Sequence, residues 1–114
     1  MNPHDPQPLP LALALREDPP GTLVLSVDGD LDHETSPDVL ALVRSALAGH
    51  PGPAALRLDL SGLGVIDSMG LSALLMIRRL TGDAGAALWL DGRPEHLDRL
   101  LDLTGTREHL TGGG

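Results

Sequence analysis

The stretch Asp59–Leu71, DLSGLGVIDSMGL, decides the fold because it joins a strand pattern to a helix pattern. Over residues 56–60, leucines alternate with charged residues, which is the period of two expected of a strand. Over residues 71–80, apolar residues recur at helical spacing. Asp67 and Ser68 are therefore predicted to lie at or just before the N-terminus of a helix.

The predicted start of this helix suits a negative charge on Ser68. Unpaired backbone N–H groups and the helix dipole favour anions at that end. A phosphate on Ser68 would be tolerated by the fold while it changed the surface charge. Asp and Ser are also the commonest N-cap residues, so the pair Asp67-Ser68, taken in isolation, is more typical of an ordinary helix cap. The residues alone leave both interpretations open.

Three segments resemble the STAS domain family, named for sulfate transporters and anti-sigma factor antagonists. The first is the stretch quoted above, which is similar to the family's phosphorylation-site segment. The second, Gly29–Thr35 (GDLDHET), is similar to the loop after the family's second strand. The third, Pro94–Gly105 (PEHLDRLLDLTG), is similar to a late helix. The segments occur in the right order at compatible spacings, so the resemblance covers nearly the whole chain.

The resemblance implies a non-enzymatic regulator, an anti-sigma factor antagonist whose switch is phosphorylation of Ser68. The unphosphorylated protein would bind an anti-sigma factor, a serine kinase with a histidine-kinase-like ATP-binding fold, and so free a sigma factor for transcription. The kinase would phosphorylate Ser68 and be released, and a PP2C-type serine phosphatase would restore binding. ATP and Mg²⁺ belong to the kinase, so the chain is expected to need no cofactor. Two alternatives stay open: an accessory subunit of a transporter complex, and a scaffold of a stress-signalling assembly.

Two loops are expected to form the partner-binding surface. Functional loops gather outside the carboxyl ends of parallel strands, and the loops at 29–35 and 61–68 both leave such ends. The predicted partner-binding residues, which include the phosphorylation site, are Asp30, Asp32, His33, Asp67, Ser68, Met69 and Gly70. Met69 departs from the family's pattern, which usually has a second hydroxyl residue there. A turn-forming role for Asp32 is the simpler alternative to recognition.

The rest of the chain alternates strand and helix patterns. The predicted elements are an N-terminal hairpin turning at Asp18–Gly21, a helix capped by Ser36, a strand at 54–60, a helix after Ser68 that ends near Gly82, a strand at 86–90 and a helix opened by Pro94. Crossover connections make the later strands parallel, with the first strand antiparallel beside them. The fold class is therefore α/β, with a STAS-like mixed sheet of four to five strands packed with helices. Residues 9–111 would form this domain between flexible ends at 1–8 and 112–114.

Composition narrows the possible functions. The chain has 114 residues, room for one domain, and no cysteine, which excludes disulfides and thiolate chemistry. A formal net charge of −8 argues against direct binding of nucleic acid or of anionic membranes. No long apolar run or signal-peptide profile is present, so neither membrane insertion nor export is expected, and the predicted location is cytoplasmic.

Other site chemistries fit the sequence poorly. Ser68 lies in IDSMG, which lacks the G-x-S-x-G elbow of many hydrolases and has no assignable base. His33 and its acidic neighbours are adjacent in sequence and lack metal-ligand spacing, so no metal site is predicted. Trp89 is the only aromatic residue. Because it lies in the apolar run at 86–90, it is predicted to occupy a core position of a strand.

Overall fold

The computed structural model describes residues 11–49 and 52–111. The elements, in chain order, are β1 (Ala12–Glu17), β2 (Thr22–Leu31), α1 (Ser36–Gly49), β3 (Ala55–Asp59), β4 (Leu63–Ile66), α2 (Ser68–Asp83), β5 (Ala87–Asp91), α3 (Glu95–Thr104) and α4 (Arg107–Thr111). The predicted flexible ends at 1–8 and 112–114 lie outside the described residues, and the domain boundaries stay predictions.

A five-stranded mixed sheet organises the molecule, which confirms the predicted α/β fold class. The strand order is β1-β2-β3-β5, and β4 pairs with β2 beyond the end of β3. β1 runs antiparallel to β2, whereas all the other pairs are parallel. The hairpin turns as predicted at Asp18–Gly21, where the N–H of Asp18 donates to the carbonyl of Thr22 (3.0 Å). Gly21 has a φ of +88°, which glycine adopts without strain.

One face of the sheet carries the core. Alternate residues of β2, β3 and β5 point to this face, and residues from all four helices join them in one apolar cluster. The four helices therefore cover the same face. The strand members of the cluster include Leu23, Leu25, Val27, Leu56, Leu58, Leu88 and Leu90. Burial of this apolar surface is the main force that holds the helices on the sheet.

The other face is open to solvent, and the predicted core position of Trp89 is wrong. Leu88 and Leu90 take the inward positions of β5, so Trp89 points to the open face, where it is 42% exposed. The guanidinium of Arg57, its register neighbour on β3, lies 5.2 Å from the centre of the indole ring. Arg57 also makes two hydrogen bonds to Asp91, of 2.7 and 3.1 Å. The apolar run at 86–90 predicted a strand correctly but not which of its residues face the helices.

The carboxyl edge of the sheet is more regular than the sequence indicated. The segment at 61–68, predicted as a loop, contains β4. Strand β2 continues to Leu31 and so extends into the other predicted loop, at 29–35. β4 has only four residues, too few for a clear alternation, and its pairing with β2 defines it. Ser36 is also not the N-cap of α1. It is the first helical residue, and its hydroxyl donates backwards to the carbonyl of Asp32 (2.6 Å).

Candidate functional site

Asp67 caps α2 and joins it to the segment after β2. One carboxylate oxygen, Oδ1, accepts from the backbone N–H of Gly70 (2.8 Å). The other, Oδ2, accepts from the backbone N–H of His33 (3.2 Å) and lies 3.7 Å from Nδ1 of the same residue. These bonds lower the pKa of Asp67, the one from Gly70 most strongly. The carboxylate is therefore held charged, and it fixes two segments that are 34 residues apart in sequence.

Ser68 is the first residue of α2, which agrees with its predicted place at or just before a helix N-terminus, and its side chain is exposed. Its hydroxyl makes no hydrogen bond within the part of the chain that the structure describes, because Asp67 already supplies the cap. The carbonyl of Ser68 accepts from the hydroxyl of Ser72 (3.0 Å), inside the helix. The serine oxygen is thus free to react without loss of a structural contact.

Gly70 lets the first turn of α2 approach the end of β2. A Cβ at this position would collide with the carbonyl oxygen of Leu31 and with the side chain of Ile66. The N–H of Asp67 also donates to the carbonyl of Leu31 (3.3 Å). Gly70 is buried, whereas Met69 beside it is 52% exposed. Both residues are predicted to bind a partner. Met69 is accessible for such contact, whereas the role of Gly70 is to let the backbone of α2 approach β2 closely.

Asp30 and Asp32 use their carboxylates on backbone groups. Oδ1 of Asp30 accepts from the N–H of Val65 (2.8 Å) and so ties β2 to β4. Oδ1 of Asp32 accepts from the N–H groups of Glu34 (2.9 Å) and Thr35 (3.1 Å). These contacts give Asp32 the turn-forming role that the sequence left open. Both residues are only partly exposed, and the structure brings their segment beside Asp67, as the sequence predicted.

The surface around Ser68 is acidic. The carboxylates of Glu34 and Asp67 each lie 3.7 Å from a ring nitrogen of His33, whose side chain is exposed, and Asp32 precedes His33 in the chain. In the described ranges no arginine forms an ion pair with any of these three carboxylates. A partner that covers this surface would therefore bring basic groups to it.

An apolar groove, which we call the β4–α3 groove, opens next to this acidic surface. It has a volume of about 320 Å³. Its lining residues are Val65, Ile66, His96, Arg99, Leu100 and Leu103. The sequence reasoning missed it because β4 was not predicted. Val65 and Ile66 lie in a predicted loop, so their apolar character did not indicate which surface their side chains would form.

Two negative findings concern residues 11–49 and 52–111. No group of three or more His, Asp or Glu side chains is arranged to hold a metal ion. No helix in those ranges has both the length and the apolar character needed to cross a membrane.

Comparison with known proteins identifies the family. A family model described as "Mlab, STAS domain" matches residues 15–111. No curated protein matches the chain. Among solved structures, the chain is similar to an anti-sigma factor antagonist from Mycobacterium paratuberculosis, with 26% identity, a TM-score of 0.73 and coverage of 88% of this chain and 82% of that one.

Two further structures share the fold at lower identity. The phosphorylated form of the Bacillus cell fate determinant SpoIIAA has 19% identity and a TM-score of 0.67, with coverage of 82% of this chain and 84% of that one. A sulfate transporter family protein from Wolinella succinogenes has 23% identity and a TM-score of 0.69, with coverage of 82% and 75%. The similar structures thus include an anti-sigma factor antagonist and a sulfate transporter family protein.

Proposed function

This chain belongs to the STAS domain family, and from that premise we propose that it is an anti-sigma factor antagonist controlled by phosphorylation of Ser68. The unphosphorylated form binds an anti-sigma serine kinase and withdraws it from its sigma factor. Transfer of the ATP γ-phosphate to the Ser68 hydroxyl ends the interaction, and a PP2C-type phosphatase reverses it. The similarity to an anti-sigma factor antagonist at 26% identity supports this assignment.

The accessible, unbonded hydroxyl of Ser68 at the start of α2 carries the proposal. A kinase can reach this oxygen without unfolding the helix, because the N-cap is supplied by Asp67. A phosphoserine carries about −1.5 to −2 charges at neutral pH, and a helix N-terminus stabilises such a charge. The phosphorylated domain should therefore keep its fold.

Release follows from the contact that the phosphate makes with the partner. A like charge on the partner about 4 Å away costs on the order of 4 kcal/mol at an effective dielectric constant near 20. That energy corresponds to roughly a thousandfold loss of affinity. A partner that presents an acidic group to Ser68, besides the basic groups that face Asp67 and Glu34, would thus be released by local repulsion without a change in the fold.

The test uses the purified anti-sigma kinases of the source genome that have the histidine-kinase-like ATP-binding fold. Incubation of one such kinase with Mg-ATP and this protein should add one phosphate, which mass spectrometry of peptides places on Ser68. The Ser68→Ala variant should accept none and should bind the kinase persistently. The phosphorylated protein should keep its circular dichroism spectrum and lose at least a hundredfold in affinity.

Two outcomes would reject the proposal. One is phosphorylation of another residue while Ser68 stays unmodified. The other is full affinity of the phosphorylated protein for its kinase in every nucleotide state. The Ser68→Asp variant is a weaker sample because it carries less charge than phosphoserine, so the enzymatically phosphorylated protein decides.

The second candidate function is that of an accessory subunit of a transporter complex. It is favoured by the similarity of the fold to a sulfate transporter family protein. In that case the protein would bind a transporter ATPase with the same affinity whether Ser68 carried a phosphate or not. A binding measurement with both forms separates the two functions.

A further inference from the structure

Exposed apolar surface is concentrated beside Ser68. The three most exposed large apolar side chains of the described residues are Val65 (65%), Met69 (52%) and Leu103 (80%). Val65 and Leu103 line the β4–α3 groove, and Met69 directly follows Ser68. Single exposed apolar residues are normal on a surface, so the feature that carries an argument is the pairing of Val65 and Leu103 across one groove close in sequence to Ser68.

The groove is built by fixed elements. Ile66 and Leu100, both half-buried, belong to strand β4 and helix α3 and pack against the core. Nε2 of His96 on α3 lies 2.6 Å from the carbonyl oxygen of Gly64 on β4, which links the two walls of the groove. The groove is therefore formed before a partner arrives, and binding there would need little ordering of the protein.

We propose that the β4–α3 groove is the apolar half of the kinase interface and receives the apolar side chains of one helix of the anti-sigma kinase. This inference rests on the function proposed above. A stable interface covers about 800 Å² on each partner. A patch of that size around Ser68 must extend to Val65, only three residues away. The centres of such interfaces are depleted of charged residues, and the groove is the apolar part of a surface that is otherwise acidic.

Charge defines the rest of the partner's chemistry. Ile66 lines the groove and directly precedes Asp67, so the groove adjoins the acidic side formed by Asp67 and by Glu34. The complementary structure is an amphipathic helix whose apolar ridge enters the groove and whose arginine or lysine residues reach the acidic side. Arg99 at the edge of the groove is already paired with Glu95 (2.9 Å), so it does not repel such a helix strongly.

The groove also supplies a second reason for release. A phosphate on Ser68 would lie beside the exposed side chain of Met69. Apolar side chains of the helix that cover part of that phosphate remove hydration without supplying donors, which is unfavourable. This loss of hydration adds to the electrostatic repulsion proposed above.

The experiment compares a groove variant with a matched control. Val65→Ser combined with Leu103→Ser removes apolar groups that are mostly exposed, so the fold should be retained. Leu15→Ser removes an exposed leucine of β1 that does not line the groove. Titration calorimetry against each purified histidine-kinase-like anti-sigma kinase, without ATP, should give at least about tenfold weaker binding for the double variant. The melting temperature should stay near the wild-type value, and Leu15→Ser should bind normally.

Each other outcome counts against the groove. A kinase that phosphorylates Ser68 yet binds the double variant as tightly as wild type overturns this inference and leaves the proposed function standing. If no such kinase binds the wild-type protein or phosphorylates Ser68, both proposals fail together. If the double variant binds the kinase normally but loses self-association in sedimentation, the groove joins two copies of the chain and the kinase assignment is wrong.

Discussion

The two faces of the sheet are built from the same strands and yet have opposite roles. Leucine and valine side chains of the covered face pack against all four helices. On the open face, one row across β1, β2, β3 and β5 consists of Arg16, Val24, Arg57 and Trp89. The difference teaches that alternation along a strand separates two faces, while the placement of the helices decides which face becomes the core.

The largest expected effect tests this difference directly. Leu25 on the covered face is fully buried, so Leu25→Ala should lower the free energy of unfolding by about 2–5 kcal/mol. Trp89→Ala on the open face removes a larger side chain but should cost only about 1 kcal/mol or less, because no helix packs there. Urea denaturation followed by circular dichroism measures both. Equal losses in the two variants would mean that the open face is packed as tightly as the covered one.

The fold could be predicted largely from the sequence because its main elements are long and periodic. The alternation in β2 and β3 and the helical stripes of α1 and α2 identified the elements and their order. The orientation of Trp89 could not be obtained in this way, since an apolar run gives no direction. The short strand β4 was not predicted for a different reason, because only its pairing with β2 distinguishes it from a loop.

The second prediction concerns the contact between α2 and the end of β2, where the covered face of the sheet meets the segment that contains Ser68. Gly70→Ala would push a Cβ into the carbonyl oxygen of Leu31, so we expect a loss of about 1–3 kcal/mol in unfolding free energy. Gly82→Ala is the matched control in the same helix, because nothing lies near its Cβ position. That change should stabilise α2 by up to about 1 kcal/mol. Stabilisation by both substitutions would show that α2 is not seated against β2.

Half of the candidate site was visible in the sequence, and the other half depends on tertiary structure. The position of Ser68 at a helix start follows from the local pattern, and the pairing of its segment with residues 29–35 follows from the order of strands. The turn-forming role of Asp32 was also open to sequence reasoning, because its donors lie only two and three residues away. The bond from Val65 to the Asp30 carboxylate could not be predicted, because these residues are 35 positions apart and become neighbours only in the folded chain. The β4–α3 groove required two elements that meet after folding.

The smallest expected effect concerns the loss of stability at acid pH. This loss should depend on which segments each carboxylate joins by hydrogen bonds. The hydrogen bonds from Gly70 and His33 lower the pKa of Asp67 below its unfolded value of about 3.9. A lowered pKa means that the contribution of Asp67 to stability is complete above that unfolded value and is lost as the pH falls through the folded one. An asparagine at this position is a good N-cap but cannot be protonated in this range.

The asparagine side chain has one acceptor oxygen, so Asp67→Asn can keep the bond from Gly70 but places its NH2 group against the N–H of His33. The variant should therefore have a lower melting temperature than wild type at pH 7 but lose less stability between pH 5 and pH 2.5. Thermal denaturation at a series of pH values measures the difference. Ser68→Ala is the matched control, since it leaves the Asp67 carboxylate in place and should keep the wild-type acid dependence.

The Asp59 carboxylate on the open side, whose pKa is lowered chiefly by the hydroxyl of Ser61, holds only a local turn. Asp59→Asn should accordingly change the acid dependence less than Asp67→Asn, which removes the charge that joins α2 to the segment after β2. A larger change from Asp59→Asn would indicate that the open face, and not the switch edge, limits the stability of the protein in acid.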